Sequence, residues 1–321
     1  GGFHIHSRIG LSDEYLGEKF MECVTFCQKY AKSKGMFTYL YDADKWPSGY
    51  GGGRVTQKEE YSARYLLFTP FFHEEGYYDR GLKPSCRLTE DGTLKLLASY
   101  RVELEGGRLR SYEKVSGGYR NAEECGKKYV EECVCKEGYP EEGKHQWGEE
   151  KCRKKQKIWY AYLVVADSLP WFNNGAYVDV LNPKAISTFT KVCHDSYFEA
   201  VGEEFSGSIP SIFTDEPQFI KMQNMECGEK LQEIGIPYTE GLEDEMRMHY
   251  HVHLMERLPE IFWESADGKP AALRYQYLNT IADRFADSYV GTLGKWCENH
   301  GIMLTGHVME ENGLENQARH V

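Results

Sequence analysis

The sequence predicts a parallel α/β fold, and within that class a (β/α)8 barrel. Strand-like and helical segments alternate before and after a central segment of different character, which indicates parallel strands joined by crossover helices. Residues 211–216 are typical of a buried parallel strand, a short apolar run that Pro217 stops. Polar, ionisable residues follow every predicted strand. An open doubly wound sheet would concentrate them at one switch point, whereas a barrel places them in a ring, so the barrel is favoured. The chain supplies fewer than eight such strands, and the predicted barrel is incomplete.

Composition indicates a globular protein with a sizeable core. The chain has 321 residues, of which 41% are hydrophobic and 27% charged, unlike a disordered chain. A formal charge of −12 argues against nucleic-acid binding, which needs a basic face. The sequence contains no signal peptide and no apolar run of about 18 residues, so we expect no membrane partner and a cytoplasmic location. Both ends look cut, which predicts additional domains of the same polypeptide.

Residues 1–56 are predicted to form the first part of the barrel. The segment 2–8 alternates apolar and polar residues, as a strand does, and a helix follows over about 13–33. Residues 36–41 form the second predicted strand. The loop after it, residues 42–49, is dense in functional residue types.

Residues 57–157 are predicted to be a β-rich insertion. Charge rises, helical periodicity fades, and alternating segments are separated by the turn dipeptides Asp91-Gly92 and Gly106-Gly107. Cysteines in a charged part of this insertion lack a paired CxxC spacing, so free thiols are expected rather than a zinc site. These cysteines are Cys125, Cys133, Cys135 and Cys152.

Residues 158–321 are predicted to continue the barrel. A helix should begin at Asn182-Pro183, with Asn182 as its N-cap, and a mostly helical region precedes the last strand. The predicted strands of this part are 157–165, 177–181, 211–216 and 302–312.

Two acidic strand ends point to the hydrolysis of a glycosidic bond. Asp215 and Glu216 end one predicted strand, and Glu310 and Glu311 end the last one. Two carboxylates across a cleft suffice for this reaction, because one protonates the leaving oxygen while the other activates water or attacks the sugar. Inversion and retention both stay open here, since they depend on the distance between the carboxylates.

Two other functions are compatible with parts of the sequence. His4 and His6 form an HxH motif on the first strand, as in metal-dependent barrel hydrolases, and His307 would be a further ligand. Such an enzyme needs a lysine or more histidines at the middle strand ends, which this sequence does not supply. A carbohydrate-binding barrel without catalysis is the non-enzymatic alternative, with aromatic side chains as sugar platforms.

Four segments together resemble a bacterial glycoside hydrolase group related to the α-L-rhamnosidases of glycoside hydrolase family 106. They are residues 1–8, 41–49, 213–217 and 305–312. The second is the most specific, because Asp-x-Asp-x-Trp-Pro-Ser-Gly rarely arises by chance. This motif differs in detail from that of the rhamnosidases proper around Asp44 and Trp46, so the resemblance leaves the sugar open.

The resemblance implies a catalytic barrel in a multidomain protein, acting on polysaccharide side chains. It implies Glu216 as the general acid and Glu310 or Glu311 as the base that activates water, which gives inversion. It also implies calcium near the sugar hydroxyls; the residues themselves do not predict a cofactor or a metal site.

Further side chains are predicted to bind the carbohydrate substrate. Asp42 and Asp44 are two apart at a strand end and should face the same side, where they and Arg8 would form charge-assisted hydrogen bonds to sugar hydroxyls. Within the resemblance, Trp46 and Trp171 would stack on sugar rings. The predicted substrate-binding set is His4, His6, Arg8, Asp42, Asp44, Trp46, Trp171, Asp215 and His307.

Overall fold

A computed structural model of the protein describes residues 1–78, 92–115, 155–223, 225 and 227–307. This part of the chain contains α-helices together with parallel and antiparallel strands, which confirms the α/β class. The strands are β1 (Gly2–His4), β2 (Phe37–Tyr41), β3 (Arg64–Thr69), β4 (Gly76–Tyr78), β5 (Gly92–Glu105), β6 (Arg108–Lys114), β7 (Lys155–Ala166), β8 (Ser211–Asp215), β9 (Ile234–Pro237) and β10 (Met303–His307). The α-helices are α1 (Glu18–Ser33), α2 (Pro183–Phe189), α3 (Asp195–Val201), α4 (Leu242–Tyr250), α5 (Leu254–Arg257), α6 (Ala272–Phe285) and α7 (Thr292–Asn299).

A parallel sheet of four strands, in the order β1-β2-β8-β10, carries the acidic strand end. Tyr41 of β2 pairs with Phe213 of β8, and Asp215 at the end of β8 pairs with His307 of β10. Because all the pairings in this sheet are parallel, the carboxyl ends of its strands meet along one edge.

A second, antiparallel sheet has the order β4-β5-β7-β3-β9, with β6 paired to β5. The predicted turn at Gly106-Gly107 is confirmed, since it joins β5 to β6. The prediction that residues 157–165 return to the parallel sheet is wrong. That segment lies in β7, which pairs antiparallel with both β3 and β5, and β9 joins the same sheet from beyond the acidic strand end.

The strands within the described residues form an open parallel sheet and an antiparallel sheet, and they do not close a barrel. The strand predicted at residues 177–181 is also absent from the structure of this segment, where Val178 makes one isolated bridge to Ser62. The reason is local: the Asp179 carboxylate accepts a hydrogen bond from the Leu181 backbone N–H at 3.1 Å, which turns the chain instead of extending it.

The helices follow the predicted pattern. The α1 helix begins at Glu18, later than expected, and packs against β2 and α3. Asn182 caps α2, since its side chain accepts a hydrogen bond from the Lys184 backbone N–H at 3.0 Å. In the described parts of the chain, no helix is long and apolar enough to cross a membrane.

One large core joins the two sheets. Its fully buried members include Leu40 and Ile212 from the parallel sheet and Phe68 and Trp159 from the antiparallel sheet. Burial of apolar surface stabilises the fold by about 25 cal/mol per Å², and this core packs the parallel sheet against the antiparallel sheet.

β10 passes close to the backbone of β8 at Gly306, beside the acidic strand end. Gly306 has φ +142°, and a Cβ atom at this position would lie 1.9 Å from the Thr214 carbonyl oxygen. Only glycine meets both conditions without displacing β8.

We therefore expect Gly306→Ala to lower the free energy of unfolding by about 2 kcal/mol or more. Gly294→Ala in α7 is the matched control, because a Cβ there has no neighbour within 4 Å. In a helix that substitution should stabilise by up to about 1 kcal/mol. Chemical denaturation measures both, and equal changes in the two variants would contradict the close approach.

Candidate active site

The candidate site lies at the carboxyl ends of β2, β8 and β10. In the sheet order, β8 is the neighbour of both β2 and β10. The turn after β2 therefore meets the acidic end of β8, and His307 lies on the other side of it. These three strand ends bring together the residues described next.

Glu216 is the residue of this edge with the most distinctive geometry. Its φ of 43° lies in the left-handed region, which is uncommon for a residue other than glycine. Its backbone N–H donates to the His307 carbonyl at 3.0 Å, and its Oε2 accepts from the Trp46 indole N–H at 2.8 Å. Oε1 lies 3.9 Å from His307 Nδ1, while 20% of the Glu216 side chain stays exposed. The carboxylate is thus held in place but accessible, in a backbone conformation that is enriched at functional sites.

Asp215 has different contacts from its neighbour. Its Oδ2 accepts a hydrogen bond from the Tyr41 hydroxyl at 2.6 Å, and its Oδ1 lies 3.9 Å from His307 Nδ1. Burial, together with this bond to Asp215, holds the pKa of Tyr41 well above its ordinary value, so the phenol remains a donor. The Tyr41 ring also stacks on His6, with ring centroids 3.6 Å apart. Asp215 is therefore anchored to the sheet through Tyr41.

Ser48 joins the 42–49 loop to the end of β8. Its hydroxyl donates to Asp42 Oδ1 at 2.6 Å and accepts from the Asp215 backbone N–H at 2.8 Å. Its own backbone N–H donates to the Asp215 carbonyl at 2.9 Å. The Tyr177 hydroxyl in turn donates to the Ser48 carbonyl at 2.7 Å. Ser48 is fully buried, so these bonds are shielded from competition with water.

Asp42 lies in the interior rather than on the surface of the site, with 0% exposure. Burial raises its pKa to about 7, against the opposing hydrogen bond from Ser48. Its Oδ2 lies 3.8 Å from His194 Nε2, which is within ion-pair range. However, burial also lowers the pKa of His194 to about 3. The imidazole is neutral at ordinary pH, and this contact is not an ion pair.

Asp44 belongs to a separate group of contacts. Because β2 ends at Tyr41, strand alternation does not govern residues 42 and 44, and the two carboxylates have different partners. Asp44 Oδ2 accepts from Asn173 Nδ2 at 2.7 Å, and Asn173 Oδ1 accepts from Lys45 Nζ at 2.7 Å. The Trp171 indole N–H donates to the carbonyl of Trp46, the next residue of the loop, at 2.8 Å. The 42–49 loop is thus braced by the segment that contains Trp171 and Asn173.

A cleft of about 380 Å³ opens beside this group, which we call the Asp44 cleft. Glu216 does not line it; the Asp44 cleft and Glu216 are connected along the loop through Lys45 and Trp46. Its charged and amide-bearing walls come from three parts of the chain, and they are formed by Arg8, Asp13, Glu14, Asp44, Lys45, Arg54 and Asn173.

Two of the predicted histidines come from the two edge strands of the parallel sheet, β1 and β10. The rings of His4 and His307 both pack on Phe213, with centroid distances of 5.7 and 5.4 Å. The His4 ring stacks on Tyr39 at 4.9 Å. Among the described residues, no group of three or more His, Cys, Asp or Glu side chains could hold a metal ion. The described residues therefore supply no such cluster for a zinc-type site or for the calcium that the resemblance implies.

Several predicted residues lie outside the described part of the chain. They are Glu310, Glu311, Cys125, Cys133, Cys135 and Cys152. Conversely, sequence reasoning assigned no role to Ser48, Tyr41 or Asn173. Ser48 was detectable in principle, because it belongs to the specific motif of residues 41–49 and is a small polar residue within a mostly buried turn. Asn173 carried no comparable signal.

Comparison with solved structures finds a likeness to a rhamnosidase from Novosphingobium sp. PP1Y. The TM-score is 0.51 at 9% sequence identity, covering 98% of this chain and 43% of that one. The chain thus spans less than half the length of that protein. Neither a family model nor a curated protein matches the sequence. A likeness at this identity concerns the fold alone.

Removal of the Ser48 hydroxyl tests the link between the loop and β8. We expect Ser48→Ala to lower the free energy of unfolding by about 3 kcal/mol, because the Asp42 carboxyl and the Asp215 N–H each lose a buried partner. Ser33→Ala, at an exposed serine that ends α1, should change it by less than about 0.5 kcal/mol. A cost in Ser48→Ala no greater than in this control, measured by urea denaturation, would show that the bonds contribute little.

The buried Asp42 should make stability depend on pH. Its pKa in the folded protein, about 7 instead of 3.8, means that only the unfolded chain releases this proton between pH 4 and 7. The contribution of Asp42 to the free energy of unfolding is therefore largest below about pH 4 and falls as the pH rises to about 7. Above pH 7 this contribution no longer changes. Asp42→Asn cannot titrate, so its stability relative to the wild type should rise across this window by up to about 4 kcal/mol.

Denaturant titrations of both proteins at several pH values measure this difference. His194, whose lowered pKa acts in the opposite direction, is present in both proteins, so the comparison isolates Asp42. A difference that stays constant from pH 4 to 8 would mean that Asp42 is ionised in the folded protein.

Proposed function

We propose that this chain is the catalytic part of a glycoside hydrolase in which Glu216 is the general acid. The observation that carries the proposal is the fixed but accessible Glu216 carboxylate at the carboxyl edge of a parallel sheet. Active sites of α/β proteins usually lie at such edges. The fold likeness to a rhamnosidase points to the same class of reaction.

The contacts of Glu216 suggest which oxygen carries the proton. Oε2 accepts the indole N–H of Trp46, so that lone pair is already in use. Oε1 is then the oxygen that holds the proton and delivers it to the glycosidic oxygen of the substrate. After transfer, the Trp46 N–H stabilises the carboxylate, and charge-assisted bonds of this kind are the stronger ones.

We propose Glu310 or Glu311 as the second carboxylate, acting as a base on water. His307 pairs in register with Asp215, and Glu310 follows it by three residues. Three residues span at most about 10 Å. A glutamate at this point of the chain can therefore reach the separation of about 6.5–9.5 Å that inverting enzymes use.

The proposed substrate is a polysaccharide side chain, with an α-L-rhamnoside as the first candidate. The motif of residues 41–49 supports a glycoside hydrolase but leaves the sugar open, and the fold likeness to a rhamnosidase is the reason for placing a rhamnoside first. We further propose that the four-stranded parallel sheet belongs to a (β/α)8 barrel. The insertion in it would begin at about residue 57 and include all of β7, and further domains would follow in the same polypeptide. The position of Glu216 at a strand's carboxyl end is the one that barrel enzymes use.

The metal-dependent alternative has less support, because no group of three or more His, Cys, Asp or Glu side chains among the described residues could hold a metal ion. A carbohydrate-binding protein without turnover differs from the proposal in one measurable way, namely the release of product. A panel of aryl glycosides, including p-nitrophenyl α-L-rhamnoside, separates the two.

On a rhamnosyl-glucose disaccharide, whose sugar leaving group needs a proton, we expect Glu216→Gln to lower kcat by about 10²–10⁴-fold, the usual contribution of general acid–base catalysis. p-Nitrophenolate leaves without a proton, so the loss on the aryl glycoside should be smaller. The amide can still accept the Trp46 N–H, so the melting temperature should barely change. Glu203→Gln, at an exposed glutamate, is the control and should retain full activity. Full activity of Glu216→Gln on the disaccharide, or its unfolding, would contradict the assignment.

A further inference from the structure

We propose that the Asp44 cleft binds a second, uncharged sugar residue of the substrate, next to the residue whose bond Glu216 cleaves. This inference rests on the proposed function and extends it from one sugar to a sugar chain. A volume of about 380 Å³ lies within the usual range of small-molecule sites.

The polar groups that line the cleft are held in place by contacts with one another. Only 7% of the Asp44 side chain is exposed, and its carboxylate is held by the Asn173 amide at 2.7 Å and the Tyr50 hydroxyl at 3.4 Å. Lys45 completes the group through Asn173 at 2.7 Å and lies 3.9 Å from Asp44. Its ammonium is also 5.8 Å from the centre of the Trp171 ring, so the donors and acceptors of this wall keep a fixed arrangement.

The balance of charge indicates a neutral ligand. Three cations and three carboxylates line the cleft. Arg54 pairs with Glu14 at 2.6 Å, and Asp13 lies 4.0 Å from Lys19. A phosphate or a strongly acidic sugar would meet these carboxylates at a cost. Neighbouring hydroxyl groups of a pyranose both donate and accept hydrogen bonds, which matches a wall of alternating carboxylate, amide and ammonium groups.

Continuity along the loop places the cleft next to the acid. Lys45 and Trp46 are adjacent, so their Cα atoms are about 3.8 Å apart. The first lines the cleft, and the indole of the second contacts Glu216. A substrate bound at Glu216 can thus extend along the same loop into the Asp44 cleft, where a sugar ring would contact Asp44, Lys45 and Asn173.

The test compares two substrates in wild type and Lys45→Met, which removes the ammonium but keeps the length of the side chain. One is p-nitrophenyl α-L-rhamnoside, which has no second sugar, and the other is a rhamnosyl-glucose disaccharide. We expect the variant to lose about tenfold more kcat/KM on the disaccharide than on the aryl glycoside, mainly through KM. Lys295→Met, at an exposed lysine of α7, should change neither substrate. Equal losses on both substrates would overturn the inference, because Lys45 would then only brace the loop.

A binding measurement keeps this test separate from the activity itself. Glu216→Gln protein is titrated with the same disaccharide and with cellotriose, and binding is followed by NMR. Binding that Lys45→Met weakens about tenfold supports the cleft as a sugar site even if the wild type cleaves nothing, which would refute only the proposed function. If neither sugar binds, or if binding does not respond to Lys45→Met, the cleft is not a sugar site.

Discussion

The buried hydroxyl of Ser48 is the contact on which the rest of the candidate site depends. It ties a side chain of the 42–49 loop to the backbone of Asp215 at the end of β8. Because the loop is fixed to the strand at this point, Trp46 is held where its indole reaches the carboxylate of Glu216. A buried hydrogen bond is stabilising when both partners are present and costly when one is lost. This link therefore couples the loop to the strand.

The same burial sets the electrostatics behind the site. Ser48 connects two acidic residues in different ways, because its hydroxyl donates to the Asp42 carboxyl and accepts from the backbone N–H of Asp215. If both were charged they would repel across a region from which water is excluded. Burial favours the neutral form of Asp42 up to about pH 7, which removes this repulsion. His194, behind Asp42, is neutral for the same reason.

Local signals in the sequence were enough for the α/β class and for single features such as the Gly106-Gly107 turn and the Asn182 cap. The sheet to which a strand belongs was not predictable, because an apolar run carries no information about the strand that pairs with it. Residues 157–165 would have the same pattern in either sheet. The burial of Asp42 depends on helices that are distant in the sequence and cover the strand end. The motif of residues 41–49 therefore predicted a functional loop but did not show which of its carboxylates face the solvent. The position of Glu216, by contrast, followed from an apolar run that ends in acids before a proline.

Asp215 and Glu216 show how two adjacent and chemically similar residues can have different roles. Asp215 is the last residue of β8, and its carboxylate is bound by a phenol that burial keeps protonated. One residue later the chain turns into the left-handed region, which directs Glu216 away from the sheet pattern and towards Trp46 and His307. The side-chain partners differ accordingly, since Glu216 Oε2 accepts from the Trp46 indole, whereas Asp215 Oδ2 accepts from the buried Tyr41 hydroxyl. The backbone conformation at a single residue thus separates the proposed acid from its neighbour.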